Sequence, residues 1–378
     1  MDNRRRKAWG RSGAWLAAIA LVLWAAPAMA QDQKAPKKKK SEAGADTPKK
    51  VYDTTGVAEF FSTSDPLEVT LTFNVKRVRG DKGDKPQWHP ATLTYTPAIG
   101  SAPVTLPIRV ETRGIWRLHN CDFPPIFLNF TSKETKQTIF KGLDKPKLTS
   151  ACRDDNTYEQ YVLQEYQLYR IDRLLSPYSH AARLLHVVYT DSATGKPTMT
   201  RYAFLTEELD AIAARQHGKV MKIKGATIDD LVASDAALAG VFEYLIGNTD
   251  FSIAGLHNAE LLAKANSGDV IPIVYDFDFS GAVNTRYATT DPRLRIRMVR
   301  QRLYRGYCVP DSVYTPIFAL FNAKKDSIYG LYSDKIGQLM DPKIVKETLE
   351  YFDEFYKTIN NPGDAKNEII KACIGRGG

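Results

Sequence analysis

Alternating bulky and polar positions run through the first half of the chain, and a helical period takes over in the second. Leu67 to Val75 sets Val69, Leu71, Phe73 and Val75 on one face, and Ala91 to Tyr95, Val104 to Val110 and Pro125 to Phe130 continue the strand pattern. Gly80-Asp81-Lys82-Gly83-Asp84 reads as a loop between the first two. Residues 156–175 form the clearest helix of this half and stop before Ser176-Pro177. Leu184 to Tyr189 and Thr200 to Leu205 read as two strands joined by the Asp191-Ser192-Ala193-Thr194-Gly195 turn. Beyond Thr206-Glu207-Glu208, helices dominate, the clearest over 227–246, with Thr227 as N-cap and Gly247 as stop, and over 342–360. The pattern predicts an α+β chain of two lobes sharing one cleft. A β-rich N-terminal lobe with one helix covers 56–206, and a mainly helical C-terminal lobe covers 207–378.

One segment breaks the helical half. After the helix ending at Gly247, a polar loop (Asn248, Thr249, Asp250) leads through His257 and Asn258 into a strand, Ala259 to Ala263. Asn-Ser-Gly-Asp at 266–269 turns the chain into Val270 to Tyr275, which ends in Asp276-Phe277-Asp278. The entry and exit loops of such a hairpin lie at the same end, so carboxylates and an amide gather there. Hard oxygen ligands of this kind suit a divalent cation and a phosphate ester. A hairpin with ordinary capping and turn-forming Asp residues is the structural alternative.

A second signal is Glu165, which sits in an apolar stripe with Tyr161 and Val162 a turn before it and Leu168 and Tyr169 a turn after it. A carboxylate buried there without a partner is costly. Lys147, on the strand upstream, is the natural partner, with Lys145 on the same face as the alternative. A lysine on a strand paired with a glutamate on the next helix is how protein kinases hold the α and β phosphates of ATP.

Charge changes the picture mainly at the N-terminus. Arg4, Arg5, Arg6, Lys7 and Arg11 precede the apolar stretch Ala14 to Ala26, and Ala28-Met29-Ala30 has the form of a signal-peptidase site. The first thirty residues therefore read as a secretory signal peptide, and 31–55, with Lys37 to Lys40, as a Lys-rich disordered linker. Twelve basic against four acidic residues within 1–50 take eight of the nine formal positive charges, leaving +1 on 51–378. The folded part is nearly neutral, which removes a nucleic-acid partner argued from net charge. The linker suits an anionic envelope polymer or membrane surface, or serves as a plain spacer. Export to the periplasm or the extracellular space is expected. Such a compartment permits disulfides among Cys121, Cys152, Cys308 and Cys373; of three pairings, 121 with 152 and 308 with 373 keeps each within one half of the chain.

Several segments together resemble the CotH kinase-like family of spore-coat and secreted proteins, in an exported bacterial branch. They are Arg113-Gly114, CDFPPIFLNF at 121–130, FKGLDKPKL at 140–148, YEQYVLQEYQLYR at 158–170, FLTEELD at 204–210, GNTD at 247–250 with HN at 257–258, and YDFDFSG at 275–281. The resemblance implies an atypical protein kinase-like fold, ATP with Mg²⁺ or Mn²⁺, and phosphorylation of Ser or Thr in an exported protein. It implies Asp250 as the catalytic carboxylate and Asn258 and Asp276 as metal ligands, with Asp278 as the substitute. It further implies Lys147 with Glu165 at the phosphates, Arg113 in the loop over them, and Glu207 and Glu208 beside the hinge for the base. The chain departs from kinase patterns in having no GxGxxG, Walker A or HRD sequence, and Ile115 stands where the family often has Asn. An inactive kinase-like envelope binding module is the alternative of a different class, and phosphoester hydrolysis by the same carboxylates a third.

The histidines 89, 119, 180, 186 and 217 show no zinc spacing, and no GxSxG elbow is present. Six arginines between Arg293 and Arg305 suit an acidic substrate segment or a solvated helix face.

Overall fold

The alternation in the first half is expressed as a closed β-barrel. In the computed structural model, which describes residues 52–375, seven strands form it: β1 (Leu67–Phe73), β2 (His89–Tyr95), β3 (Val104–Thr112), β4 (Ile126–Asn129), β5 (Lys147–Ser150), β6 (Ala182–Asp191) and β7 (Lys196–Thr206). Their order around the barrel is β1-β2-β3-β4-β5-β7-β6. All neighbours are antiparallel except β1 and β6, which close the barrel in parallel from Leu67 opposite Leu185 to Phe73 opposite Asp191. One side of each strand fills the interior: Leu71 and Phe73, Leu93, Val110, Leu128, Leu148, Val187 and Tyr189, and Leu205 are all buried in one cluster. Period-two patterning dictates this arrangement, and closure leaves no strand edge unpaired.

This overturns the expected two-lobed atypical protein kinase-like fold. Such a fold needs a separate β-rich lobe facing a helical one across a cleft. Here β1 is bonded on both sides, by β2 and by β6, so the strands close on themselves. Alternation told which faces are buried but not which strands pair. The described residues form one compact unit.

Helix Asn156–Leu175, capped by Asp155 accepting from the Thr157 amide, lies against the outside of β6 and β7, where Tyr166 and Tyr169 pack on Phe204. Helices Ala233–Ile246, Asp311–Gly330 and Pro342–Asn360 join it in a second apolar core. A three-stranded antiparallel sheet completes the fold, ordered β10 (Val270–Val274), β9 (Ala259–Lys264), β8 (Gly218–Met221).

Several boundaries differ from the sequence reading. Thr227 caps a single 3₁₀ turn, Ile228–Asp230, and the helix begins only at Ala233. Helix Thr54–Phe60 begins inside the stretch read as linker, with Asp53 accepting from the Gly56 amide. The signal peptide, 1–30, and nearly all of the Lys-rich linker lie outside the described residues. Both disulfides join the cysteines nearest in sequence, Cys121 with Cys152 and Cys308 with Cys373. No described helix is long and apolar enough to cross a membrane.

Candidate functional site

Gly247 ends its helix in the left-handed conformation, φ 65° and ψ 35°, and releases the loop that carries Asp250. The Asn248 side chain accepts from the Asp250 amide at 2.9 Å, and Arg305 donates to the carbonyls of Thr249 and Phe251. These contacts fix the loop from beneath. Its far end turns back through Leu256 and Asn258, whose φ values of 50° and 47° are unusual for residues with a Cβ. Asn258 Nδ2 then donates to the Asp250 carbonyl at 2.7 Å and to its Oδ2 at 3.2 Å, while His257 Nε2 lies 3.0 Å from Oδ1.

The return strand β10 delivers the other carboxylates. Asp276 also has a left-handed backbone, φ 64°, held by its amide donating to the buried Tyr169 hydroxyl at 2.9 Å. Phe277 is anchored between Tyr169 and Phe242, so Asp276 and Asp278 project on either side of a fixed ring. Three left-handed residues in one site amount to backbone strain concentrated where the polar groups converge.

Arg113, Arg117, Lys147, Asp250, Asn258, Asp276 and Asp278 line one cavity of about 610 Å³. Six of the nine residues singled out from the sequence are thus brought together. Arg113 follows β3 and donates to Thr149 at 3.0 Å; burial pushes its pKa down and Asp276 opposes that. Lys147 opens β5, with its ammonium 4.1 Å from the centre of the Tyr275 ring. Burial pushes that lysine below its ordinary value, against the pull of Glu260.

Glu165 is where the expectation fails. It is 1% exposed, and the cation beside it among the described residues is Arg117, 3.7 Å from its Oε2, in place of Lys147. The same Arg117 nitrogen lies 3.8 Å from Asp278 Oδ2, so one guanidinium serves two buried carboxylates. Burial and the Asp278 charge push Glu165 well up, and burial and Asp276 push Asp278 up to about 6. Burial works against the Arg117 charge, but Tyr287, Asp278 and Glu165 more than offset it. The Tyr287 hydroxyl donates to Asp278 Oδ2 at 2.9 Å. The sequence reading passed over Arg117 and Tyr287. The only signal for Arg117 was its position four residues after Arg113.

Glu207 and Glu208 stand elsewhere. They line a second cavity of about 500 Å³ with Lys145, His180, Asp210, Lys222 and Glu260, and Lys147 belongs to both cavities. The Glu207 carboxylate is taken up by Arg215, at 2.8 and 3.1 Å, and by the Ala181 amide; Glu208 accepts from the Asp144 amide at 3.0 Å. His180 donates from Nδ1 to the Glu207 carbonyl at 2.7 Å. These carboxylates hold the wall of the second cavity in shape.

The site fits a divalent cation in one manner. Among the described residues no three His, Cys, Asp or Glu side chains converge as a metal cage. Mg²⁺ is commonly held by one or two carboxylates together with substrate phosphates and water, and that is the donor set offered here. Asn258 would offer Oδ1, its Nδ2 being engaged by Asp250, and Asp276 its carboxylate, to which no described residue donates. Glu165 Oε1, Arg113 Nε and Arg117 Nε and Nη1 are buried without hydrogen-bond partners, which marks an uncompensated polar centre. Neither a scan of the chain against protein-family models nor a search of curated proteins returned a match.

Proposed function

We propose that this chain is a metal-dependent phosphotransferase that moves the γ-phosphoryl group of ATP to a Ser or Thr hydroxyl of a secreted or envelope protein. The observation that carries the reading is the single cavity in which Asp250, Asn258, Asp276 and Asp278 face Arg113 and Lys147. Carboxylates for a cation and proton, facing cations for phosphate oxygens, are what phosphoryl transfer requires, since its catalysis is largely positioning and electrostatics. The resemblance of these segments to the CotH kinase-like family points the same way, and the reading rests on the site and does not need a kinase fold.

In this account Asp250 steers the acceptor hydroxyl and receives its proton on a carboxylate oxygen. The His257 contact to Oδ1 and the Asn258 contact to Oδ2 hold that carboxylate in one orientation. Asn258 and Asp276 would hold Mg²⁺ or Mn²⁺, with Asp278 behind them. The bound metal supplies charge neutralisation and orientation of phosphate oxygens. Arg113 and Lys147 reach the phosphates, and Lys147 leads into the second cavity, which receives the base. The two disulfides support action in an oxidising, exported compartment.

Thermal unfolding of the full chain with ATP and Mn²⁺ or Mg²⁺ tests the proposal. A ligand at a hundred times its Kd stabilises by about 2.7 kcal/mol, a readily measured upward shift in Tm. The shift is expected to need both metal and nucleotide and to vanish in Asp276→Ala. An unchanged Tm under every combination would sink the reading in favour of an inactive envelope binding module.

A further inference from the structure

Arg117 is carried by a helix of five residues, Trp116–Asn120, which is too short to be stable by itself. Its position is imposed from outside. The residue that ends the helix, Cys121, is bonded to Cys152, two residues beyond the end of β5. Next to the bridge, the Phe123 amide donates to the Cys152 carbonyl at 3.1 Å, and Arg117 Nη2 donates to the Ser150 carbonyl at 2.8 Å. On the other side Trp116 stacks on Tyr287, ring centres 4.8 Å apart, and Tyr287 holds Asp278. The strand that begins with Lys147 therefore also anchors the helix that presents Arg117.

We infer that Arg117 is the positioning residue of the site and that the Cys121–Cys152 bridge delivers it. The inference rests on the phosphotransfer reading for its purpose, though its geometry stands apart. Two buried carboxylates, Glu165 and Asp278, share the Arg117 guanidinium. With Arg117 withdrawn the two buried carboxyl groups lose their shared cation, and Asp278 loses one of the contacts that hold it beside the metal position. Arg117 acts through Asp278; it is a positioning residue rather than a catalytic one. The other bridge, Cys308–Cys373, joins the loop after the arginine-rich stretch to the C-terminal segment.

The test uses the full chain with Arg117→Gln, Arg117→Lys, Cys121→Ser with Cys152→Ser, and the triple variant, with Cys308→Ser and Cys373→Ser as control. Calorimetric titration with ATP and Mn²⁺ is read beside hydrogen exchange of residues 113–123. Loss of a charge-assisted contact predicts binding weakened about tenfold in Arg117→Gln. The bridge variant is expected to lose a similar factor, and the triple variant no more than either alone, because the two changes remove one device. Arg117→Lys, which keeps the charge, recovers part of the loss, and the control binds as wild type does. Losses that multiply, or a bridge variant that binds normally, overturn the inference. If wild type binds no ATP, the phosphotransfer reading falls and exchange alone decides the clamp. Protection lost over 113–123 with the barrel strands intact sustains it, and protection retained there sinks it.

Discussion

Asp172 and Glu243 are buried in the helical core, away from the cavity, and burial raises both pKa values well above the ordinary carboxylate range. Both oxygens of Glu243 lack a hydrogen-bond partner among the described residues. A raised value means that the folded state prefers the neutral acid. The sign follows directly: stability is full below the ordinary carboxylate pKa and is lost as pH climbs through the raised folded value. Asp172→Asn and Glu243→Gln should therefore raise Tm at pH 8 and leave it nearly unchanged at pH 3, below the ordinary carboxylate values, as thermal unfolding at the two pH values would show. Equal effects at both would mean the groups are charged in the fold. Gly247 supplies a second prediction. A Cβ there would meet the Tyr351 hydroxyl oxygen at 1.9 Å, on a backbone already at φ 65°. Gly247→Ala should cost about 1–3 kcal/mol in urea unfolding. At this scale the polar groups that gather in the cavity were legible, because Asp250, Asn258, Asp276 and Asp278 are conspicuous at the ends of strands. The partner of Glu165 was not. Spacing along the chain gave Lys147 and Lys145 as candidates, whereas Arg117 reaches Glu165 only through a bridged loop between β3 and β4.

Elements were legible where periodicity is strong. Asn156–Leu175 and Pro342–Asn360 match the reading at both ends, and the β9–β10 hairpin places its two loops together as its turn requires. The start of Ala233–Ile246 was misread because Thr227 and Asp230 do form a capping box, but on a 3₁₀ turn that stops after one turn. The arginine-rich stretch suits, by pattern, an acidic substrate segment or a solvated helix face; the structure forms no helix over 293–305 and gives two of its members inward tasks. Arg302 donates to the carbonyls of Tyr244, Leu245 and Tyr351, and Arg305 holds the loop of Asp250. Arg305→Gln should free that loop. The expected result is a fall in turnover of at least tenfold, with ATP and Mn²⁺ affinity changed far less, since Asp276 and Lys147 are untouched. A variant with wild-type turnover would show that the loop holds itself.

For the whole molecule, most barrel strands were readable and their closure was not. Six segments of the first half read as strands from their pattern and Lys147 marks a seventh, while β8 (Gly218–Met221) went unread. The parallel pairing of β1 with β6 joins residues more than a hundred positions apart, and local pattern carries no information about it. The same closure explains how one site draws on distant segments. The end of β3 supplies Arg113, the start of β5 supplies Lys147, and the β9–β10 hairpin brings the carboxylates to meet them. The central claim is that this meeting place transfers phosphoryl groups, and γ-labelled ATP tests it most directly. The full chain is incubated with label, Mn²⁺ and an unstructured Ser- and Thr-rich acceptor, beside Asp250→Ala. The account predicts label on Ser or Thr and a loss of about 10²–10⁴ in rate for the variant, with nucleotide still bound. Label that Asp250→Ala transfers as fast as wild type, or release of free phosphate with no labelled protein, would contradict it.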